Sequence, residues 1–167
     1  VPEERFRLVP AGADDQVFHP LPARSASGGL FRVGFAGTFI PQGHGIELIL
    51  QAARLLSDDS AIVFELIGDG QELPASKALA QSLGLTNVTF TGWLPKHELP
   101  GRLAQADVLL GVFGSTYHVL WTVPNKIYEG LALARPLITR DAPAVRRTLR
   151  HGEEVYLVQP DSAEALA

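Results

Sequence analysis

Three polar residues near the start of a short helical pattern have side chains suited to a phosphate and a sugar. Asn125 and Lys126 lie four and three residues before Glu129, so a helix would bring all three to one patch. A helix N-terminus has free N–H groups and about half a unit of positive charge, which suits a phosphate. A carboxylate one turn further in can accept hydrogen bonds from sugar hydroxyls. The spacing also fits an ordinary exposed pair of Lys126 and Glu129.

The helix that would position these residues lies between two prolines. Pro124 is predicted at its first position, because the N–H that proline lacks would be unpaired there. Pro136 ends it. Apolar residues at three- and four-residue spacing predict one buried face, made of Ile127, Leu131 and Ala134 with Tyr128 and Ala132 beside them. The pattern therefore predicts a helix over 124–134.

Short apolar runs alternate with helical patterns from Phe31 onwards. Strands are predicted near 32–36, 62–67, 87–91, 106–111, 136–140 and 154–158. Helices are predicted near 45–57, 72–83, 96–105, 124–134 and 143–150, with one more starting near 162, and 114–123 is predicted as a loop. The strand runs are almost continuously apolar, as in parallel strands covered on both faces. The alternation predicts an α/β, Rossmann-like parallel sheet of about six strands with helices on both faces.

Glycines concentrate in the loops that follow the predicted strands, where ligands bind in such sheets. They are Gly37, Gly43, Gly45, Gly68, Gly70, Gly92, Gly111 and Gly114. Because glycine lets a ligand approach the backbone closely, this pattern indicates a cleft for phosphate and sugar. The loop after the first strand lacks both the dinucleotide fingerprint and the P-loop signature, which disfavours an NAD enzyme or a P-loop NTPase.

Composition bounds the remaining classes of function. A net charge of −4 over 167 residues gives no basic surface for nucleic acid. The absence of cysteine excludes disulfides and thiolate chemistry. No apolar run is long enough to span a bilayer, so a cytoplasmic location is predicted. Residues 1–30 are predicted to form an interdomain linker, which includes the small polar run Arg24–Gly29, and 31–167 one domain. A helix starting near 162 is cut at Ala167, as in a piece truncated from a longer protein.

Taken together, these segments resemble the C-terminal, donor-binding half of the family 4 glycosyltransferases, which have two facing Rossmann-like domains, the GT-B architecture. The resemblance covers essentially the whole chain in the right order. The segments that carry it are Val9–Asp14 with Phe18-His19-Pro20, Ile67–Gly70, Val88–Pro95 with Glu98-Leu99, and Lys126–Glu129 with Pro136-Leu137-Ile138.

The resemblance implies a domain that binds a nucleotide-diphosphate sugar, whose sugar is transferred to an acceptor hydroxyl with retention and without a metal or another cofactor. The implied partner is an N-terminal acceptor-binding domain of the same protein, which would supply the catalytic base, so the fragment alone should be inactive. In the full-length protein, the pair of domains could lie at the periphery of a membrane. The residues implied to bind the donor are Gly37, Thr38, His44, Gly45, Gly68, Trp93, Leu94, Pro124, Asn125, Lys126 and Glu129, with Glu129 on the ribose and Trp93 near the base.

The chain departs from the family pattern at four positions. The first of two glutamates that the family commonly has falls on Trp121. The arginine and lysine that commonly hold the diphosphate fall on Thr38 and His44, and Arg135 stands where a small residue is expected before Pro136. We hypothesise that Lys126 restores the missing charge from the other side of the cleft. Two alternatives fit the same pattern, a non-catalytic nucleotide-sugar binding module and a GT-B nucleotide-sugar epimerase.

Overall fold

The computed structural model describes residues 9–22, 29–41 and 43–167 of the chain. The strands of this part are β1 (Phe31–Ala36), β2 (Ile62–Ile67), β3 (Val88–Gly92), β4 (Val108–Leu110), β5 (Leu137–Arg140) and β6 (Tyr156–Val158). Its helices are α1 (Ile46–Leu55), α2 (Leu73–Ser82), α3 (Leu99–Leu103), α4 (Tyr117–Trp121), α5 (Asn125–Ala132), α6 (Pro143–Thr148) and α7 (Ala163–Leu166).

All six strands are parallel and form one sheet in the order β3-β2-β1-β4-β5-β6. The predicted α/β parallel sheet of six strands is confirmed. Strand β1 lies in the middle and pairs with β2 on one side and β4 on the other. The chain therefore reverses its direction of travel across the sheet at the β1/β4 boundary, where ligands of doubly wound sheets bind.

Helices cover both faces of the sheet, and each face has its own apolar core. One core joins Phe35 and Phe64 to Ile49 and Leu50 of α1. The other joins Leu109 and Leu137 to Ile127 of α5, Leu103 of α3 and Val145 of α6. This two-sided burial explains why the strands lack the alternation of apolar and polar residues that a half-exposed sheet shows.

Residues 9–22 pack on this sheet domain. Phe18 is 1% exposed and lies in the second core. The Arg135 Nη2 donates to the carbonyl of Leu21 at 3.0 Å, and Asp14 pairs with Lys96 at 3.0 Å. Residues 1–8 and the run Arg24–Gly28 of the predicted linker lie outside the described residues, and the division of the chain at residue 30 stays a prediction.

The loop predicted over 114–123 contains helix α4, so that part of the prediction is wrong. The Thr116 side chain accepts a hydrogen bond from the N–H of Val119 and begins the helix. Such a cap is available to serine and threonine, and only five residues follow it before the chain turns extended at Thr122. An apolar pattern this short gives no helical period to recognise from the sequence.

The boundaries of α5 also differ from the prediction. Pro124 is extended and immediately precedes the helix, which begins at Asn125. At the other end, Ala134 has a left-handed φ of 53° and is exposed, so Leu133 takes the buried position predicted for Ala134. The N–H of Arg135 bonds back to the carbonyl of Gly130, which closes the helix. A small residue is expected at position 135. The residue with the left-handed conformation, which favours glycine, is instead Ala134.

Candidate functional site

A cleft of about 500 Å³ opens at the carboxyl ends of β1 and β4. One wall is the loop after β1, and the opposite wall is α4 with the first turn of α5. Its lining residues are Ala36, Gly37, Thr38, His44, Leu99, His118, Thr122, Val123, Pro124, Asn125, Lys126 and Glu129. Among them are seven of the eleven residues predicted to bind a donor, contributed by two segments of chain about eighty residues apart.

A smaller recess of about 190 Å³ adjoins this cleft and shares Gly37 and Thr38 with it. Three more predicted residues, Gly68, Trp93 and Leu94, line the recess. The Trp93 side chain is 70% exposed, so one of its faces is free to contact a planar ligand. The structure thus brings ten of the eleven predicted residues into two adjoining concavities.

The eleventh predicted residue, Gly45, supports the cleft from outside its lining. Gly45 caps α1 with a left-handed φ of 72°. A Cβ atom there would lie 2.7 Å from the backbone carbon of Phe113. The neighbouring His44 carbonyl accepts the N–H of Phe113 at 3.0 Å. A glycine at 45 therefore lets the loop after β1 pack against the loop after β4.

Gly68 fixes the boundary between the cleft and the recess. Its φ is 139°, and a Cβ atom would collide with the carbonyl oxygen of Gly37. The N–H of Gly68 donates to the carbonyl of Gly92 at 2.8 Å, and that of Gly37 to Ile67 at 3.0 Å. These contacts hold the loops after β1, β2 and β3 side by side, which requires residues without side chains.

Lys126 is the most unusual group in the cleft. Its Nζ atom is buried, and none of the described residues accepts a hydrogen bond from it. The atom stands 4.1 Å from the centre of the Phe35 ring. Burial lowers the pKa of Lys126 to about 7, and the carboxylate of Glu129 opposes that shift. The amine thus titrates in the physiological range.

His44 lies beside Lys126 on the opposite wall. Its Nδ1 donates to the carbonyl of Thr38, and its ring meets the Phe35 ring edge at a centroid distance of 5.9 Å. Burial, with the nearby charge of Lys126, lowers the pKa of His44 to about 4. The ring is therefore neutral at pH 7, and its Nε2 keeps a lone pair.

Glu129 is the carboxylate that lines the cleft, one turn into α5. Burial raises its pKa, and the charges of Lys126 and Lys96 oppose that shift. A carboxylate in this half-buried position has two oxygens available to accept hydrogen bonds from hydroxyl groups.

Helix α4 and the residue that follows it bring His118 and Thr122 into the cleft, and neither is among the eleven residues predicted to bind a donor. The signal for α4 was the threonine cap at Thr116. Trp121, which stands where the family has a glutamate, lies outside the cleft lining. Its ring is 6.1 Å from that of Tyr117, and the Arg147 guanidinium lies 5.3 Å from its centre.

Arg140 supports the loop that leads into α4 from beneath. Its side chain is buried at the end of β5, and Nη1 donates to the carbonyls of Phe113 and Gly114 at 3.3 and 2.9 Å. The same nitrogen pairs with Asp161, just before α7, at 3.2 Å. One buried guanidinium therefore joins the loop that precedes α4 to the segment that precedes α7.

Within residues 9–22, 29–41 and 43–167, no three histidine, aspartate or glutamate side chains are grouped so that they could hold a metal ion. Over the same residues, each helix is too short or too polar to cross a bilayer.

Comparison with known proteins identifies the family. The family model for glycosyl transferases group 1 matches residues 31–167. The 2-deoxystreptamine glucosyltransferase of Streptomyces kanamyceticus is 30% identical over 79 residues, which are 47% of this chain and 20% of that protein. The matched part of this chain therefore spans about a fifth of the length of that relative.

Solved structures share the fold at lower identity. The Anabaena protein Alr3699/HepE in complex with UDP-glucose aligns with a TM-score of 0.74 at 19% identity, over 93% of this chain and 44% of that one. The C-terminal domain of the glycosyl transferase LpcC from Francisella tularensis aligns with a TM-score of 0.71 at 22% identity, over 93% and 84%. The predicted resemblance to the C-terminal half of a GT-B enzyme is confirmed. Because the family model covers every strand of the sheet, the chain belongs to the glycosyl transferases group 1 family.

Proposed function

We propose that this domain binds the nucleotide-diphosphate sugar of a glycosyltransferase and presents its sugar for transfer to an acceptor hydroxyl. One observation carries the proposal: Glu129 and the start of α5 line the same cleft as the glycine-containing loop after β1. A sugar diphosphate has both of the groups that this pair of walls suits, because hydroxyls bond to a carboxylate and phosphates to helix N–H groups.

The two concavities suggest how the ligand lies. The recess beside Trp93, Leu94 and Gly68 would take the base, stacked on or beside the indole. The ribose would then lie at Glu129, with the diphosphate between Gly37, Thr38 and His44 on one wall and Asn125 on the other. The Anabaena relative was solved with UDP-glucose, which makes uridine the first nucleotide to test.

Departure of the diphosphate leaves negative charge on its oxygens, and the residues of this chain would act mainly by stabilising that charge. The start of α5 lines the cleft, and its N–H groups carry the positive end of the helix dipole. We propose that this helix end and the cation of Lys126 do the work that a metal does elsewhere, and that transfer occurs with retention, as the resemblance implies.

The catalytic base would come from an N-terminal acceptor-binding domain, so we expect this chain alone to bind nucleotide sugar without turning it over. The cytoplasmic location predicted from composition is part of the same proposal.

A second function, a binding module that has lost chemistry, is favoured by one observation. Trp121 takes the place of a glutamate, and its ring faces Tyr117 and Arg147 rather than the cleft. Hydrolysis or transfer of donor by the full-length protein would exclude this alternative.

Calorimetric titration of the 167-residue chain with UDP-glucose, GDP-glucose and ADP-glucose tests the main proposal. We expect saturable 1:1 binding of one of these and weaker binding of its free nucleoside, which lacks the diphosphate. If none of them binds, the proposal is wrong.

A further inference from the structure

The single buried amine of the cleft is in an environment that does not suit a permanent charge. Lys126 Nζ has no hydrogen-bond acceptor among the described residues, and it lies over the Phe35 ring, 4.1 Å from its centre. A buried ammonium without an acceptor is costly, whereas a neutral amine is tolerated. An anion that binds beside the amine would therefore strongly stabilise its ammonium form.

The charged and titratable groups around the amine come from each element that lines the cleft. Glu129 lies on the same helix, His44 on the loop after β1 and His118 on α4. Lys96, on the loop before α3, is close enough to influence Glu129. His44 is neutral near pH 7, so it neither pairs with the Lys126 ammonium as an anion nor competes with it, as a second cation, for a bound anion.

Two independent features point to an anion at this position. The first is the free N-terminus of α5, an eight-residue helix that begins at Asn125 with no side-chain cap. The second is the buried, unpartnered Nζ atom one residue later. The loop on the other wall has Thr38 and His44, and neither is charged at pH 7. That wall therefore supplies no cation to a phosphate bound in the cleft.

We propose that Lys126 is the diphosphate-binding cation of this domain and that it takes up a proton from solvent as the donor binds. This inference rests on the proposed function. The amine leaves its position over Phe35 and turns toward the diphosphate, whose two negative charges favour the ammonium form. The protonated buffer in the solvent gives up one proton to Nζ and becomes its conjugate base, and no bond of the donor changes in this step. When the sugar departs later, the ammonium already faces the oxygens that gain charge.

Gly37 leaves the space in which the Lys126 amine is buried. A Cβ atom at position 37 would collide with Nζ in its present place. Because Nζ is the mobile end of a flexible side chain, an alanine would push the amine out into the cleft rather than disrupt the backbone. Glycine at 37 is what allows the amine to be covered in the free protein.

Calorimetry in buffers of different ionisation enthalpy measures the protons taken up on binding. UDP-glucose is a suitable probe if it proves to be the donor, because a diphosphate diester has no second ionisation near neutrality. With a free-state pKa near 7, uptake should be about 0.1 proton at pH 6, about 0.5 at pH 7 and about 0.9 at pH 8. Lys126→Met should abolish the uptake and weaken binding roughly tenfold or more. Lys77→Met, on the exposed face of α2, should change neither quantity.

The possible outcomes separate this inference from the proposed function. Binding without proton uptake in the wild type, or the same uptake in Lys126→Met, overturns the inference and leaves the proposed function intact. If GDP- or ADP-glucose is the ligand, it replaces UDP-glucose as the probe. If no nucleotide sugar binds, the proposed function fails.

A measurement on the free protein covers the case in which a variant no longer binds. The ¹³Cε resonance of Lys126 should titrate near neutrality in the wild type and at a clearly higher pH in Gly37→Ala, where the amine is displaced into water. An ordinary lysine titration in the wild type overturns the inference.

Discussion

The Nζ atom of Lys126 lies 4.1 Å from the centre of the Phe35 ring, and no described residue accepts a hydrogen bond from it. Burial lowers its pKa from the ordinary 10.5 to about 7. Between these values the unfolded chain binds more protons than the folded one, so this residue makes the protein more stable as the pH rises from 7 to 10.5. Below pH 7 the cost of burying the amine is at its full value.

Lys126→Met should therefore stabilise the domain in a pH-dependent way. At about 1.4 kcal/mol per pKa unit, we expect its free energy of unfolding to exceed that of the wild type by roughly 4 kcal/mol at pH 7 and roughly 2 kcal/mol at pH 9. Urea denaturation at both pH values measures the difference. Lys77→Met is the control and should show no such trend. A gain that is equal at the two pH values would contradict the burial of the amine.

Glu129→Gln should weaken nucleotide-sugar binding. Hydrogen bonds to a charged group contribute about 1.5–3 kcal/mol, so loss of the carboxylate charge should raise the Kd roughly 10- to 100-fold. Glu47→Gln, on the exposed face of α1, is the matched control. Calorimetry measures the Kd of both variants. A change of less than twofold in the Kd of Glu129→Gln would show that Glu129 does not contact the ligand.

The two tryptophans allow the base recess to be monitored separately. Trp93 lines the recess, whereas Trp121 lies outside both concavities. In Trp121→Phe, added nucleotide should quench the fluorescence of the remaining Trp93, because a stacked base quenches an exposed indole. In Trp93→Phe, the signal of Trp121 should stay nearly constant. Quenching of Trp121 without quenching of Trp93 would show that the base binds outside the recess.

Phe18→Ala should destabilise the domain, although Phe18 precedes the first strand. The side chain is 1% exposed in the second core, and removing a buried phenylalanine typically costs about 3–5 kcal/mol. Val9→Ala, at a position that is 82% exposed, should cost little. Thermal or urea unfolding of both variants decides the matter, and a loss below about 1 kcal/mol for Phe18→Ala would mean that residues 9–22 are dispensable for folding.

Ala134→Gly should stabilise the domain. Ala134 has a φ of 53° after the last turn of α5, and a left-handed residue with a Cβ atom costs about 1–2 kcal/mol. Glycine removes that strain but has more freedom in the unfolded chain, so we expect a net gain of about 1 kcal/mol. Ala132→Gly, two residues earlier and still helical, should instead cost about 0.5–1 kcal/mol. Changes of the same sign in both variants would contradict the left-handed conformation.

The sequence was enough to predict the sheet, because each strand is a continuous apolar run and each long helix has a clear period. It also predicted residues that the structure brings together in two adjoining concavities, since parallel strands put their carboxyl ends at one edge; that these residues bind a donor stays a prediction. Helix α4 was missed because it depends on one threonine cap. The burial of Lys126 was not predictable, because it follows from Phe35 and Gly37, which are distant in the sequence.

The contacts of Arg140 have a consequence for the far end of the described chain. Its one guanidinium bonds to Phe113, Gly114 and Asp161. Helix α7 begins two residues after Asp161 and packs on α1. Arg140 thus couples the loop before α4 to the peptide bond between Pro160 and Asp161, whose cleavage would release the arginine from Asp161. We therefore expect the protease sensitivity of this peptide bond to change when a ligand binds against α4.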